Sequence, residues 1–238
     1  MAIWQRLGEA TELETQAEGI VMAKEIIYVA DPMCSWCWGF SPAISAIIER
    51  FGIDVPVHLI VGGLRPGVGE SLDDSSKSEI RHHWEQVNQT SGQPFSFDFF
   101  ERKDFIYNTE PPCRALVVAR NVEPRLTFPL LERLHQAFYA ENQDITDPGV
   151  LVSLAEECGI DRGEFVAGFN AKETVEEAFG DFRKSREMNV RGFPSILLKD
   201  DDDLAFLTIG YQPLENLEPV IEAWLKDERP AKMLFKTA

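Results

Sequence analysis

Residues 25–62 constrain the fold most: a strand, a helix and a second strand follow one another there, with two cysteines at the first junction. Residues 25–30 (EIIYVA) form a short β-branched and aromatic run, the pattern of a buried strand, and Asp31-Pro32 ends it. Residues 35–51 carry Phe40, Ile44, Ile47, Ile48 and Phe51 on one helical face, and Gly52 stops that helix. Residues 55–62 (VPVHLIVG) read as a second strand closed by Gly62-Gly63. A strand–helix–strand unit of this kind requires parallel strands joined by a right-handed crossover.

The middle of the chain changes character. From about residue 75 to residue 190 the pattern is helical, with start and stop signals. Pro111-Pro112 opens a helix running through Arg114 to Arg120; Asp147-Pro148 reads as an N-cap and first-turn proline, and Gly159 ends that helix. Residues 172–189 form a long amphipathic pattern with Val175, Ala178, Phe179 and Phe182 on one side. Strand signals return at 195–198 and 204–209, flanking a turn over residues 199–203, and residues 214–225 form a last helix. The order is β-α-β, a helical insertion, then β-β-α.

The cysteines carry the chemistry. Cys34-Ser35-Trp36-Cys37 starts the first helix. A thiol at a helix start meets unpaired backbone N–H groups and the positive end of the helix dipole, which favour thiolate. A second cysteine one turn away can attack a mixed disulfide formed by the first. Zinc sites also use this spacing, but a structural zinc needs four ligands. Cys113 and Cys158 form no second such pair, so no metal is expected. Pro42, inside the same helix, is expected to kink it. Gly192-Phe193-Pro194 precedes the third strand.

These features resemble a known family. The segment from Asp31 to Phe40 (DPMCSWCWGF) and the segment from Val190 to Ser195 (VRGFPS) are similar to the active-site and cis-proline loops of the DsbA-like branch of the thioredoxin superfamily, in particular its FrnE-like, protein-disulfide-isomerase members. The resemblance implies an α/β thioredoxin fold with an inserted all-helical domain. Residues 24–74 and 191–238 would form the thioredoxin unit and 75–190 the insertion, its last helix packing back on that unit; residues 1–23 would be an N-terminal arm. It also implies a thiol–disulfide oxidoreductase with Cys34 as the exposed nucleophile and Cys37 as the more buried resolving thiol. Ser35, Trp36, Phe193 and Pro194 would contact substrate, with cis-Pro194 presenting the Phe193 backbone to an extended segment and blocking metal capture. No cofactor is implied beyond glutathione or a thioredoxin-type reductant as recycling partner. Substrates would be protein or peptide thiols and disulfides.

The chain also departs from that pattern. Thioredoxin and DsbA carry an acid six residues before the first cysteine, where this chain has Tyr28, so water or another group must accept the proton of Cys37. Asp31 is the nearest acid in sequence. Two other functions compete: a glutathione-binding relative of kappa-class transferases and hydroxychromene-carboxylate isomerases, which usually carry serine at the position of Cys34, and a non-catalytic, holdase-like peptide-binding module.

Composition excludes several partners. With 40 acidic against 23 basic residues the net charge is −17, which repels nucleic-acid backbones and anionic membrane surfaces. No apolar run suits a membrane span, and the first residues lack the basic-then-apolar pattern of a signal peptide. The expected compartment is the cytoplasm, where a close cysteine pair is more often catalytic than structural. Cys113 and Cys158 read as small buried residues, His82-His83 as neighbours on different helix sides, and Asp200 to Asp203 as a solvated turn.

Overall fold

The computed structural model describes residues 24–67 and 69–228; the expected N-terminal arm, residues 1–23, and the chain from 229 onward lie outside the described residues. Strand β1 (Lys24–Ala30) leads into helix α1 (Ser35–Phe51) and strand β2 (Val57–Val61). Helices α2 (Asp74–Ser91), α3 (Glu110–Val122), α4 (Thr127–His135), α5 (Pro148–Glu157), α6 (Arg162–Asn170) and α7 (Lys172–Glu187) follow. Strands β3 (Ser195–Asp200) and β4 (Asp203–Ile209) and helix α8 (Leu214–Leu225) complete the described chain.

The sheet order is β2-β1-β3-β4, with β1 parallel to β2 and antiparallel to β3. Being central, β1 must bury both faces, which is why it reads as an unbroken apolar run. Its alternation divides the side chains: Ile26, Tyr28 and Ala30 enter the main core with α1 and the inserted helices, while Ile27 and Val29 join Ile60, Val190 and Leu197 on the other face. The β3–β4 connection is tighter than residues 199–203. Both strands extend inward, with Asp200 pairing Asp203, so the turn is Asp201-Asp202, and Asp201 takes φ 52.

The insertion is held by aromatic packing and by ties to the sheet. Trp84 of α2 is buried among Phe99, Phe100, Phe138 and Tyr139, with ring centroids 4.9–5.8 Å from its own. Such pairs contribute about 0.5–1.5 kcal/mol each beyond area burial. Between these elements, residues 95–100 (FSFDFF) supply rings from a loop and a short 3-10 turn, Phe97–Glu101. In α7, Asp181 accepts from Arg120 Nη1 of α3 at 2.7 Å and from the Val61 N–H of β2 at 3.2 Å. The buried stripe of α7 is Thr174, Ala178, Phe182 and Ser185; Phe179, expected on that side, is 39% exposed because it lies about 100° round the helix from Ala178.

Pro42 lies inside α1 and cannot donate to the Trp38 carbonyl. Gln93 Nε2 takes that role at 3.3 Å, and Trp38 Nε1 in turn donates to Pro94 O at 2.9 Å. The helix bearing the cysteines is thus stitched to the loop after α2.

Candidate active site

Cys34 is the N-cap of α1, with φ −95 and ψ 114. Its N–H donates to Asp31 O at 3.0 Å, and its carbonyl accepts from Cys37 N at 3.0 Å, which closes the first turn. The first-turn N–H groups of a helix have no partner within it, and α1 carries no acidic residue there to oppose an anion. The Cys34 thiol donates to Phe193 O at 3.6 Å, and the Phe193–Pro194 peptide bond is cis. The two loops singled out in sequence therefore meet at the sulfur.

Gly62 makes that meeting possible. A Cβ there would lie 2.3 Å from the Phe193 ring, so only glycine lets the end of β2 pass behind it. Gly63, at φ +69, is constrained likewise: a Cβ there would lie 2.6 Å from the Phe182 ring of α7.

The two thiols face different surroundings. Cys34 is 7% exposed, less open than an exposed nucleophile was expected to be, and it opens into a cavity of about 500 Å³; Cys37 is fully buried. Ser35, Trp36 and Phe193 line the cavity beside Cys34, while Pro194 is buried behind them. Trp36 is half-buried, its ring 5.8 Å from Tyr211, and Trp38 and Phe40 belong to the core.

Sequence reasoning missed the outer wall. Arg65, Arg186 and Arg191 line the cavity with His83, and Glu79 is its single acidic residue. Arg65 lies over the Tyr107 ring at 5.7 Å. Seven other arginines of the described chain form ion pairs, namely Arg50, Arg102, Arg114, Arg120, Arg125, Arg133 and Arg162. Among the described residues no ion pair involves the three at the cavity. In so acidic a chain, three uncompensated guanidinium groups around one thiol make a local positive field. Only Arg191 had a sequence signal, its place beside Gly192-Phe193-Pro194.

The inner wall is a closed polar cluster. Asp31 is fully buried. Its Oδ1 accepts from Met33 N at 2.9 Å, and its Oδ2 accepts from Leu64 N at 2.7 Å and from the Cys113 thiol at 3.4 Å. Burial pushes its carboxyl above the usual range, against the pull of those donors. His135 Nδ1 meets Ser41 Oγ at 3.2 Å and its Nε2 meets Asp31 O at 3.4 Å; burial lowers the imidazole to about 4, so it is neutral at pH 7. Tyr107 Oη donates to Met33 O at 2.5 Å. Tyr28 Oη is buried without a hydrogen-bond partner among the described residues; burial first, then the charges of Cys37 and Cys34, raises its phenol. Burial raises the Cys37 and Cys113 thiols and the Tyr28, Tyr107 and Tyr139 phenols alike.

Tyr28 puts an unpartnered phenol where thioredoxin and DsbA carry an acid, and the buried carboxylate of this chain stands instead at Asp31. Cys113 is buried as expected, but against that carboxylate rather than in an apolar core. Among the described residues no three His, Cys, Asp or Glu side chains converge in a way that could hold a metal ion, and no helix is long and apolar enough to cross a membrane.

Comparison with known proteins adds the family context. A family model described as a DSBA-like thioredoxin domain matches residues 25–222. The fold superposes with a TM-score of 0.81 on a candidate protein disulfide isomerase from Nitrosomonas europaea, 33% identical, covering 86% of this chain and 98% of that one. It also matches the cytosolic disulfide reductase DsbM from Pseudomonas aeruginosa at a TM-score of 0.71 and 28% identity, covering 85% and 98%. DsbM has also been solved with GSH. Among curated proteins, the ClpXP adapter protein SpxH of Halalkalibacterium halodurans is 25% identical over 217 residues, covering 88% of this chain and 71% of the adapter.

Proposed function

The chain belongs to the DsbA-like thioredoxin domain family, and from that premise we propose that it is a thiol–disulfide oxidoreductase working through Cys34 and Cys37. The observation that carries the reading is the Cys34 thiol, set at a helix N-cap, opening into the cavity and bonded to Phe193 O. Cys34 attacks a substrate disulfide as the thiolate, one substrate sulfur leaves, and a mixed disulfide forms. Cys37 then attacks the Cys34 sulfur, releases the second substrate thiol and leaves a Cys34–Cys37 disulfide. Two external thiols restore the dithiol by the same exchange in reverse. Ser35, Trp36 and Phe193 form the contact surface, with Pro194 behind them holding the Phe193 carbonyl toward the cysteine.

Glutathione fits as the recycling thiol. It carries two carboxylates, which Arg65, Arg186 and Arg191 can receive, and one ammonium, which Glu79 can receive. The GSH-containing DsbM structure supports this choice. A thioredoxin-type reductant is the alternative donor. We assign the protein to the cytoplasm, as DsbM is described, and acting on protein or peptide disulfides rather than nucleic acid or membrane. The serine-dependent transferase reading is set aside because Cys34 stands at the nucleophile position.

Insulin disulfide reduction and refolding of scrambled ribonuclease test the reading. Wild type is expected to be active in at least one assay, Cys34→Ser inactive in both, and Cys37→Ser to accumulate mixed disulfides through Cys34. An inactive wild type, or a Cys37→Ser protein that traps nothing, overturns it.

A second reading rests on the SpxH relatives: an adapter that binds a partner protein without thiol chemistry. That reading requires partner delivery to survive the Cys34→Ser/Cys37→Ser double change.

A further inference from the structure

The cavity in front of Cys34 is small and its walls are pinned. At about 500 Å³ it has the size of a small-molecule pocket. One wall is α2, which packs too closely on α1 to shift: a Cβ at Gly39 would lie 2.7 Å from Val87. Trp84, on the cavity lining, is locked from behind in the aromatic cluster. The opposite wall is held where Gly62 passes behind the Phe193 ring and Gly63 behind Phe182. Cys34 is buried apart from what it shows to this space. A disulfide inside a folded protein surface does not fit; a slender one does.

The two halves of such a disulfide have different fates. Exchange is a displacement at sulfur, with the attacking, central and leaving sulfurs close to one line. With the thiol on the cavity lining, the central sulfur and its half occupy the cavity, and the leaving half points out toward water. The cavity therefore reads one half only.

The lining says what that half carries. Arg65 comes from the loop after β2, Arg186 from the end of α7 and Arg191 from the loop before β3. Guanidinium groups from separate segments suit carboxylates spaced along a molecule rather than one compact anion. Glu79 of α2, the one acid of the lining, suits a ligand that also carries an ammonium. A cysteine within a protein brings neither, because the peptide bonds beside it are neutral. Glutathione has a carboxylate at each end, an ammonium beside one of them and its thiol between.

The geometry points to glutathionyl mixed disulfides as the substrate class of this site. Glutathione's half is seated in the cavity, and the partner thiol, of a protein or of a second glutathione, stays outside and unread. The Cys34 thiolate forms a bond to the glutathionyl sulfur, and the bond from that sulfur to the partner sulfur breaks. The partner leaves as a thiolate and takes up the proton that Cys34 gave to solvent. Cys37 then attacks the Cys34 sulfur and expels glutathione, which ends with the Cys37 proton. Two free glutathione thiols reduce the Cys34–Cys37 disulfide and leave as oxidised glutathione. Two electrons thus pass from the cysteine pair to the mixed disulfide and are replaced by glutathione. The task is removal of glutathione from modified thiols, ahead of exchange between protein disulfides.

The inference rests on the oxidoreductase reading, and one set of substrates separates the two. A neutral peptide with a single cysteine is prepared as its mixed disulfide with glutathione, as that with cysteamine, and as its own disulfide dimer. Each is mixed with excess reduced wild-type protein, and release of free peptide is followed in a single turnover. The glutathionyl peptide is expected to react about tenfold faster than the other two. The triple change Arg65→Gln/Arg186→Gln/Arg191→Gln should narrow that gap to about twofold. Oxidised glutathione should react within about fivefold of the glutathionyl peptide, since the outer half is unread. In Cys37→Ser, mass spectrometry should find glutathione and not the peptide on Cys34. Equal rates for the three peptide disulfides, a gap that survives the triple change, a wider preference between oxidised glutathione and the glutathionyl peptide, or the peptide trapped on Cys34 overturns this assignment and leaves the oxidoreductase reading standing. No attack on any of the disulfides overturns both.

Discussion

The two walls of the site solve opposite electrostatic problems. The outer wall is open: Arg186 and Arg191 are exposed and Arg65 half-buried, none in an ion pair among the described residues, and such charges attract an anion over a Debye length of about 8 Å at physiological salt. The inner wall is sealed. Every ionisable group there is moved toward its neutral form by burial, and Asp31 keeps its place through two backbone N–H bonds and a thiol. The open side is therefore suited to receive a charged ligand and the sealed side to hold Cys37 as a thiol, with Cys34 on the boundary. A thiol pair needs both, because the attacking sulfur must meet solvent-borne substrate while the resolving sulfur must be kept from it.

The largest expected effect breaks the boundary itself. Cys34→Ser should abolish disulfide exchange, leaving turnover of oxidised glutathione with a coupled reductase at background, while circular dichroism stays native. Residual turnover above a few per cent would move the nucleophile elsewhere.

The inner wall is probed next by acid. His135 is neutral and buried, so the unfolded chain binds its proton near pH 6.5 and the folded chain only near pH 4. Its contribution is fully present above pH 6.5 and is lost as pH falls toward 4, about 3 kcal/mol in all. Urea unfolding at pH 7.5 and pH 4.5 should show this loss in wild type and a much smaller one in His135→Gln. Asp31 has the opposite sign. Its folded carboxyl is raised, so its contribution is present below the usual carboxylate range and lost as pH rises through the folded value. Stability of Asp31→Asn relative to wild type should therefore improve from pH 4 to pH 7, measured in the same titrations; a gap that narrows in the other direction contradicts the assignment.

The outer wall is expected to yield smaller, salt-dependent changes. Replacing Arg65, Arg186 or Arg191 by Gln should lower kcat/KM for oxidised glutathione about two- to fivefold each, chiefly through KM, with the loss fading as salt is raised. Hydroxyethyl disulfide, which carries no charge, should be unaffected. Equal losses for both substrates would show that the arginines hold structure and not ligand. Smallest of all, Gln93→Ala leaves the Trp38 carbonyl beneath Pro42 without its donor and should cost about 1 kcal/mol in denaturant unfolding.

Much of this was legible in residue order. The unbroken apolar run of β1 follows from its central place in the sheet, and the turn signals at Gly52, Asp147 and Gly159 mark real boundaries because capping is local chemistry. The cysteine pair and Gly192-Phe193-Pro194 were recognisable for the same reason: each is a short segment whose residue types carry their own geometry. The bounds of the hairpin and the buried stripe of α7 were less so, since Asp201-Asp202 and Phe179 are decided by the partner surface and not by the segment. The aromatic run at residues 95–100 gave no periodic signal, yet it builds the wall around Trp84.

What the sequence determined by itself was the strand–helix order, the cysteine pair at the start of the first helix and the absence of an acid at the position of Tyr28. Only the tertiary structure decided which polar groups are buried together behind the cysteines. Asp31 is three residues from Cys34 in sequence, but its burial comes from Leu64, Cys113 and His135, residues 33, 82 and 104 positions away that supply a donor, a thiol and a roof. The three arginines likewise converge from separate segments. Motifs fix local backbone chemistry, whereas desolvation and field depend on what the whole chain brings to a point, and no local pattern records that sum.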